Sequence, residues 1–208
     1  MLSLLIIGFA SYLIGSIPAG YIVGRIAGID IRTAGSGNIG ATNVTRVLGK
    51  RYGYPVFAVD FLKGLAAVSI SIAIAKHAQP ILGPMDVFGI VAAVCCVLGH
   101  SFPVWLRFKG GKGVAASAGA LFRLMPFVAL IAVAVWLIIF QLTRYVSVAS
   151  MTAALAVPVT ILSMMFLGQA DGTTLLYFSI CLAAVVIFRH RSNLSRLVRG
   201  AEPRFKRK

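Results

Sequence analysis

Long apolar runs with little charge inside them are the feature that most constrains how this chain can fold. Several of them reach the ~17–25 residues that an α-helix needs to cross a bilayer. A crossing segment must satisfy its own backbone hydrogen bonds, because the membrane interior offers no water. Of the 208 residues, 59% are hydrophobic and only 12% are charged, about half the charged fraction of a soluble domain. We therefore predict an all-α, polytopic membrane protein with a single integral membrane domain over residues 1–208.

The positions of Lys and Arg predict the direction of each crossing, because positive loops stay in the cytoplasm. Residues 114–143 fit one long helix or two spans. Two spans bring the basic tail after Phe188 to the same side as the basic loop near residue 46, and the positive-inside bias favours that arrangement. We expect a permanent first span rather than a signal peptide, since residues 1–3 carry no positive charge. The prediction is seven transmembrane helices, with the N-terminus outside and the C-terminus cytoplasmic, at residues 2–23, 54–75, 87–106, 112–124, 126–143, 146–167 and 173–188.

The net charge of +15 does not indicate a nucleic-acid partner. The positive residues lie at the ends of apolar runs or inside two glycine-rich motifs, where they serve topology or anion binding. Cys95, Cys96 and Cys181 lie in apolar runs without metal-ligand spacing, so we expect neither a metal site nor a disulfide framework. We also expect no cofactor, and the carboxylates form no cluster that suits Mg²⁺.

The first glycine-rich motif, residues 35–46, reads Gly-Ser-Gly-Asn-Ile-Gly-Ala-Thr-Asn-Val-Thr-Arg, and we call it the first glycine loop. Glycine lets a backbone approach a ligand closely, and successive N–H groups then form a concavity that suits an anion. Arg46 adds a planar cation that matches a phosphate. A phosphate cradle and a flexible polar linker are both compatible with this motif alone.

The second motif, residues 107–113, reads Arg-Phe-Lys-Gly-Gly-Lys-Gly, and we call it the second glycine loop. It is not a Walker loop, because Leu106 stands where that pattern needs its first glycine. Backbone N–H groups at the start of the following helix would suit a phosphate. A positively charged loop that only sets topology is the alternative.

Three further groups of polar residues stand out. Asp60 and Lys63 share a helical face inside a predicted span, and a self-neutralising structural pair is favoured over a catalytic role. Ser147 and Ser150 also share a face, although serines in such helices often bond only the preceding turn. His190 and Asn193 follow the last span. The predicted topology puts these last two groups and both glycine loops on the cytoplasmic face, where they suit phosphates beside a lipid chain.

These motifs closely resemble those of the bacterial acyl-phosphate-dependent glycerol-3-phosphate acyltransferases, in order and spacing along the whole chain. The matching segments are residues 35–43 with Arg46, residues 99–103 with 108–115, and residues 190–193 with 200–202. The chain departs from the family pattern at Ala116, where Thr is expected, and at Trp105, where Phe is usual. Neither departure removes a charge.

The resemblance implies a bacterial inner-membrane enzyme whose active site faces the cytoplasm. It would move a fatty acyl group from acyl-phosphate, and not from acyl-CoA or acyl-carrier protein, to the 1-hydroxyl of glycerol 3-phosphate. The products, lysophosphatidic acid and inorganic phosphate, belong to the first step of phospholipid synthesis. Its partners would be those two substrates, membrane lipids and, indirectly, an enzyme that makes acyl-phosphate; no nucleic acid is expected. The oligomeric state stays open, and a monomer is compatible with the sequence.

The expected site residues fall into three groups. The expected catalytic residues are Ser36, Arg46, Lys112, His190 and Asn193. The expected substrate- or phosphate-binding residues are Gly35, Gly37, Asn38, Gly40, Thr42, Asn43, His100, Lys109, Gly110, Gly111, Gly113, Ser147 and Ser150. Asp60, Lys63 and Glu202 are expected to be structural, with Glu202 held beside Arg199 and Arg204.

The proton acceptor and the function class each have an alternative. Acyl-phosphate is already activated, so we expect a substrate phosphate oxygen to take the hydroxyl proton, with His190 as the rival base. An organic-phosphate transporter or flippase is the alternative function. The absence of sequence repeats and the one-sided placement of the motifs argue against it, because carriers bind near the membrane midplane. A structural protein whose basic loops only bind lipid would leave the clustered Gly, Ser and Asn residues unexplained.

Overall fold

The structure is a computed structural model, which describes residues 2–77, 85–169 and 173–205. Within these ranges the regular secondary structure is helical, which confirms the predicted all-α class. The chain divides into two compact units, Met1–Leu124 and Met125–Lys208; the prediction of one domain stays a prediction. The helices of the first unit are α1 (Leu2–Ser16), α2 (Ala19–Ile26), α3 (Ala41–Leu48), α4 (Lys50–His77), α5 (Met85–Ser101) and α6 (Val114–Leu124). Those of the second are α7 (Pro126–Thr143), α8 (Val146–Phe166), α9 (Thr173–Arg189) and α10 (Arg191–Val198).

Five helical segments in the described part of the chain are long and apolar enough to cross a membrane. A sixth is added if α9 and α10, which meet at 55°, form one bent span. Helix α6 has 11 residues and is therefore about 16 Å long, roughly half of the ~30 Å hydrocarbon core. The five segments are Leu2–Ile26, Lys50–Lys76, Val87–Leu106, Pro126–Thr143 and Val146–Phe166. The predicted count of seven spans, and their orientation, stay predictions.

Prolines shape two of the predicted spans differently from expectation. The first apolar run is not one helix, because α1 ends at Ser16 and α2 begins at Ala19. Pro18 lies in the break and has no N–H to continue the helical hydrogen bonds. The third run ends as an α-helix at Ser101 rather than Leu106, just before Phe102 and Pro103, since the residue before a proline disfavours helical geometry. A short 3₁₀ turn, Val104–Leu106, follows.

Glycines bring the helices of the first unit into close contact. At each of four helical glycines, an added Cβ would overlap a carbonyl oxygen of the facing helix. Backbones can approach this closely only where the side chain is absent, as is common between membrane helices. Gly64 and Gly119 lie where α4 meets α6, and Gly15 and Gly99 lie where α1 meets α5. These contacts hold α6 against α4 and α5 against α1, and the second glycine loop connects α5 to α6.

The second unit is built on α8, which packs against both α7 and α9. After α10 the chain returns to the α7–α8 connection. The Phe205 N–H donates to the carbonyl of Arg144 at 3.0 Å, and the Phe205 ring meets Phe140 edge to face at 5.8 Å. The Arg204 guanidinium stacks over the ring of Tyr145. The tail segment, residues 201–205, is therefore held against the start of α8.

Candidate functional site

The first glycine loop is organised around the buried side chain of Asn43. Its Oδ1 accepts the backbone N–H of Ser36 at 2.8 Å, and its Nδ2 donates to the carbonyls of Ala34 at 3.0 Å and Ile31 at 3.3 Å. These bonds fix a segment that has no regular secondary structure. The prediction grouped Asn43 with the residues that contact a phosphate, whereas the structure uses its side chain inside the loop.

Glycines at two positions of this loop have backbone angles that other residues rarely adopt. Gly35 has φ 60° and Gly37 has φ 69°, both in the left-handed region that favours glycine. A Cβ at Gly35 would also overlap the Oδ1 atom of Asn43. The turn exposes the Ser36 side chain, so a hydroxyl donor is presented outward by a rigid backbone.

Helix α3 begins directly after the loop and adds two polar side chains. Gly40 precedes its first residue, and the Gly40 N–H donates to Oδ1 of Asn38 at 2.8 Å, which fixes the helix entry. Thr42 and Arg46 lie four residues apart on one helical face, and both are partly exposed. The first N–H groups of a helix lack intrahelical acceptors and favour anions. The start of α3 therefore gathers donors that suit a phosphate, and Arg46 follows one turn further along the same face.

The second glycine loop folds back onto the end of α5. The N–H of Gly110 donates to the carbonyl of Ser101 at 3.2 Å, and that of Gly111 donates to the carbonyl of His100 at 3.0 Å. We grouped both glycines with the phosphate-binding residues, and that role stays a prediction. In this structure their N–H groups bond the backbone of the protein itself.

The start of α6 and the cations of the loop remain suited to an anion. Gly113 has φ 81°, and its carbonyl accepts the N–H of Ser117 at 2.7 Å, so the helix begins immediately after it. Lys112 is partly exposed beside this start, and Lys109 is exposed. An anion at this loop would use the first N–H groups of α6 and the Lys112 ammonium.

Beneath the second glycine loop lies a buried ion cluster, which we define as Asp60, Lys63 and His100. Only 2% of Asp60, 6% of Lys63 and 5% of His100 is exposed. The Lys63 Nζ lies 2.8 Å from Oδ1 of Asp60, and the His100 Nδ1 lies 3.4 Å from the same oxygen. We predicted the Asp60–Lys63 pair as structural and grouped His100 with the phosphate-binding residues. The structure instead places the His100 ring against the carboxylate of Asp60.

In the second unit, Glu202 joins three elements through its carboxylate. Oε1 accepts the Ser147 hydroxyl at 2.9 Å and the Asn193 amide at 2.6 Å, and Oε2 accepts Nε of Arg196 at 2.8 Å. Burial raises the pKa of Glu202, but these hydrogen bonds outweigh it and hold that pKa below its ordinary value. Glu202 thus stays charged and ties α8, α10 and the tail segment together.

This arrangement gives neighbouring residues partners that the sequence did not predict. The ion-pair partner of Glu202 is Arg196, one helical turn from Asn193, rather than Arg199 or Arg204. Arg204 stacks on Tyr145 instead. Ser147, expected to touch a phosphate or the preceding turn, donates to Glu202.

His190 stands at the bend between α9 and α10. Only 2% of the residue is exposed, and its Nδ1 lies 2.8 Å from the carbonyl of Val186. A carbonyl oxygen only accepts, so Nδ1 must carry the proton of a neutral ring. Nε2 is therefore the basic atom of His190. The backbone N–H of His190 takes no part in the chemistry, because it donates to the carbonyls of Val186 and Ile187.

Ser150 has a partner that sequence reasoning missed. Nε1 of Trp136, on α7, donates to Oγ of Ser150 at 3.1 Å. Since Oγ is the acceptor here, the hydroxyl proton of Ser150 points away from Trp136 and can be donated elsewhere. The spacing of Ser147 and Ser150 indicated a shared face, but nothing in the sequence linked either serine to Trp136 or Glu202.

Each carboxylate whose side chain the structure describes is paired with a cation, which argues against a carboxylate base. Asp30 pairs with Arg32, Asp60 with Lys63, and Glu202 with Arg196; these are the acidic residues whose side chains the structure describes. Among the described residues, no group of three or more His, Cys, Asp or Glu side chains is placed to hold a metal ion. The exposed chemistry consists of cations, hydroxyls and backbone N–H groups, which bind phosphate and stabilise negative charge.

Comparisons with known proteins agree with the motifs. A profile of the glycerol-3-phosphate acyltransferase family matches residues 5–200. A glycerol-3-phosphate acyltransferase of Aquifex aeolicus is 44% identical over 99% of this chain and 100% of its own length. That of Synechococcus elongatus is 45% identical over 98% of this chain and 95% of its own.

Solved structures of a similar protein give the same result for the fold. One is a crystal structure of PlsY (YgiH), an integral membrane glycerol 3-phosphate acyltransferase, in its glycerol 3-phosphate form. It is 42% identical, covers 98% of this chain and 96% of its own, and superposes with a TM-score of 0.85. The lysophosphatidic acid form superposes with a TM-score of 0.82 at the same identity and coverage.

Proposed function

We propose a mechanism from the premise that this chain belongs to the glycerol-3-phosphate acyltransferase family. It is an integral membrane acyltransferase that acylates glycerol 3-phosphate to give lysophosphatidic acid. The donor we propose is acyl-phosphate, and the acylated oxygen is the 1-hydroxyl. That hydroxyl oxygen attacks the acyl carbonyl carbon, the bond from this carbon to the phosphate oxygen breaks, and inorganic phosphate leaves.

The observation that carries the proposal is the outward face of the first glycine loop. A rigid backbone presents the Ser36 hydroxyl, the start of α3 and, one turn further, Arg46. Neutral donors, N–H groups and a guanidinium together match the oxygens of a phosphate. We assign Ser36, Asn38, Thr42 and Arg46 to one substrate phosphate.

The second glycine loop supplies the next group of roles. Lys112, at the start of α6, neutralises a phosphate and the negative charge that develops on the leaving group. Lys109, which is exposed, attracts the anionic substrates towards the loop. Gly110 and Gly111 contribute by letting the loop lie close to α5, and not through their own N–H groups.

Residues of the second unit contribute a separate set of groups. The Ser150 hydroxyl donates a hydrogen bond to a substrate oxygen, with its orientation fixed by Trp136. His190 offers Nε2, and Asn193 lies one turn further along α10. Ser147 and Glu202 hold this set in place through their hydrogen bond.

For the proton of the attacking hydroxyl, we propose a phosphate oxygen of a bound substrate as acceptor. This choice is supported by the carboxylates Asp30, Asp60 and Glu202, each of which is already paired with a cation. His190 is the alternative base. If His190→Ala abolishes turnover and added imidazole restores it with a matching pH profile, the base is His190 and the phosphate is not the acceptor.

We also propose that the protein lies in the bacterial inner membrane with seven spans, an outer N-terminus and cytoplasmic motifs. The asymmetric distribution of Lys and Arg supports this orientation. Helix α6, too short to cross alone, would complete its span together with the second glycine loop. Single cysteines at Gly200 and Gln169, in a cysteine-free background, should label from opposite sides of sealed vesicles. Labelling from the same side would overturn the orientation.

The reaction itself is tested with purified protein in detergent. Acyl-phosphate and glycerol 3-phosphate should yield equal amounts of inorganic phosphate and lysophosphatidic acid, whereas acyl-CoA or acyl-carrier protein should not replace the donor. Arg46→Ala and Lys112→Ala should each lower kcat/KM by about 100-fold or more, since each removes a cation from a transition state rich in negative charge. Arg25→Ala, a cation outside both glycine loops, is the matched control. Near-normal rates in either cradle variant would refute the assignment.

A further inference from the structure

The buried ion cluster of Asp60, Lys63 and His100 takes no part in the reaction proposed above. Moving charged groups out of water costs several kcal/mol per ion, and their mutual attraction often fails to offset that cost. Charged residues inside membrane segments usually face a functional site or a polar partner. The cluster lies on α4 and α5, and two of its residues contact segments next to the glycine loops.

His100 connects the cluster to the second glycine loop. Its ring lies so close to Gly111 that a Cβ there would overlap Nε2. The carbonyls of His100 and Ser101 accept the N–H groups of Gly111 and Gly110. The second glycine loop therefore packs against the end of α5, and Lys112 directly follows Gly111. A change in the tilt of the His100 ring would therefore press on the backbone of Gly111, next to Lys112.

Lys63 connects the same cluster to the first glycine loop. Its Nζ donates to the carbonyl of Ile17 at 3.1 Å, at the break between α1 and α2. Helix α2 starts from this break, and a Cβ at Gly20 would overlap the carbonyl oxygen of Ile39. Ile39 is in the first glycine loop, one residue before Gly40. Lys63 thus bonds the break from which α2 starts, and α2 in turn packs against this loop.

We propose that the buried ion cluster is a positioning device that sets the two glycine loops at a fixed spacing. Asp60 is the shared element, because one oxygen of its carboxylate, Oδ1, contacts both Lys63 and His100. The inference rests on the proposed function, in which each loop holds a phosphate. A displacement of about 1 Å between reacting groups can cost roughly 100-fold in rate, so the spacing bears directly on turnover.

The test replaces both charges at once, with Asp60→Asn/Lys63→Met. Lys63→Met alone would leave an uncompensated buried carboxylate and is expected to fold poorly. The double variant removes both charges and the bond to Ile17, and a neutral replacement of a buried pair often preserves stability. We expect a melting temperature close to that of the wild type and a kcat about 30- to 100-fold lower. KM for each substrate should change less than about 3-fold, because each loop still binds its own phosphate.

Hydrogen exchange gives a second readout that does not depend on activity. The peptide covering residues 107–113 should exchange at least about 10-fold faster in the double variant, because the His100 ring loses the charged carboxylate that it faces. Ser71→Ala is the matched control. It removes another buried hydrogen bond between α4 and α5, the 2.8 Å bond from Ser71 to the carbonyl of Phe88, without touching either loop. Its kcat and its exchange at residues 107–113 should equal those of the wild type.

The proposal requires the loss of kcat and the faster exchange together in the double variant. Unchanged kcat, unchanged exchange, or equal effects in Ser71→Ala would each overturn it. A wild-type protein that releases no phosphate from acyl-phosphate would overturn the proposed function instead. In that case the exchange at residues 107–113 still decides whether the cluster holds the loop.

Discussion

Replacement of Glu202 by alanine tests how the tail segment is held. The change leaves the Ser147 hydroxyl and the Asn193 amide buried without their acceptor, at roughly 1–3 kcal/mol each. It also removes a charge-assisted bond to Arg196, worth about 1.5–3 kcal/mol before a discount. Arg196 is one-third exposed, with 33% of its side chain accessible, so solvent screening reduces that last contribution. A total near 4 kcal/mol is a sizeable part of the ~5–15 kcal/mol that stabilises a folded chain.

For a chain of this length, 4 kcal/mol corresponds to a fall of roughly 8–16 °C in Tm, measured by thermal unfolding in detergent. Glu202→Gln keeps the size and one acceptor oxygen and should fall by less than half as much. Asp30→Asn is the control, because it removes the carboxylate of an exposed ion pair with Arg32, and such pairs contribute little. A Glu202→Ala protein that melts within about 2 °C of the wild type, or whose Tm is no lower than that of Asp30→Asn, would refute the reasoning.

Further tests concern Glu202, Trp136 and Gly64. The pKa of Glu202 lies below its ordinary value of 4.5, so its contribution is complete above that pH and is lost as the pH falls through the lower folded value. Wild-type Tm should therefore drop more steeply than that of Glu202→Gln on acidification below pH 4.5, and parallel curves would contradict this. Trp136→Phe keeps an aromatic ring but removes the donor to Ser150. We expect kcat/KM to fall about 3- to 10-fold, as for one lost hydrogen bond of ~1 kcal/mol, with Tm nearly unchanged. An unaltered kcat/KM would show that Ser150 needs no orientation. Gly64→Ala should lower Tm despite alanine's better helix propensity, because the new Cβ overlaps the carbonyl of Ala116. Such overpacking costs typically ~1–3 kcal/mol. A higher Tm would mean that α4 and α6 separate without cost.

The sequence predicted several helices closely, and the reason is local. Helix α7 begins at Pro126 and ends at Thr143, as expected, because proline is well suited to the first turn of a helix. Helices α8 and α9 were predicted to within a residue or two, since apolar runs end where charged or polar residues begin. The break at Pro18 was missed, because a proline inside an apolar run is also tolerated in membrane helices.

The candidate site was less predictable at the level of single contacts. Glycines, hydroxyls and cations were identified because phosphate binding needs those groups close together in sequence. Which groups face outward was not predictable. Asn43, Gly110 and Gly111 share motifs with Ser36 and Lys112, yet their polar groups bond the protein itself.

By itself, the sequence determined the all-helical class, the membrane-spanning character and the family, since apolar length, charge position and motif spacing are properties of short stretches. Only the tertiary structure decided the partners of the buried polar groups. Asp60 meets His100, Glu202 meets Arg196 rather than Arg199, and Trp136 meets Ser150. Such pairings depend on which helices pack against each other and at what rotation, and a buried polar group takes whichever partner that packing brings within reach.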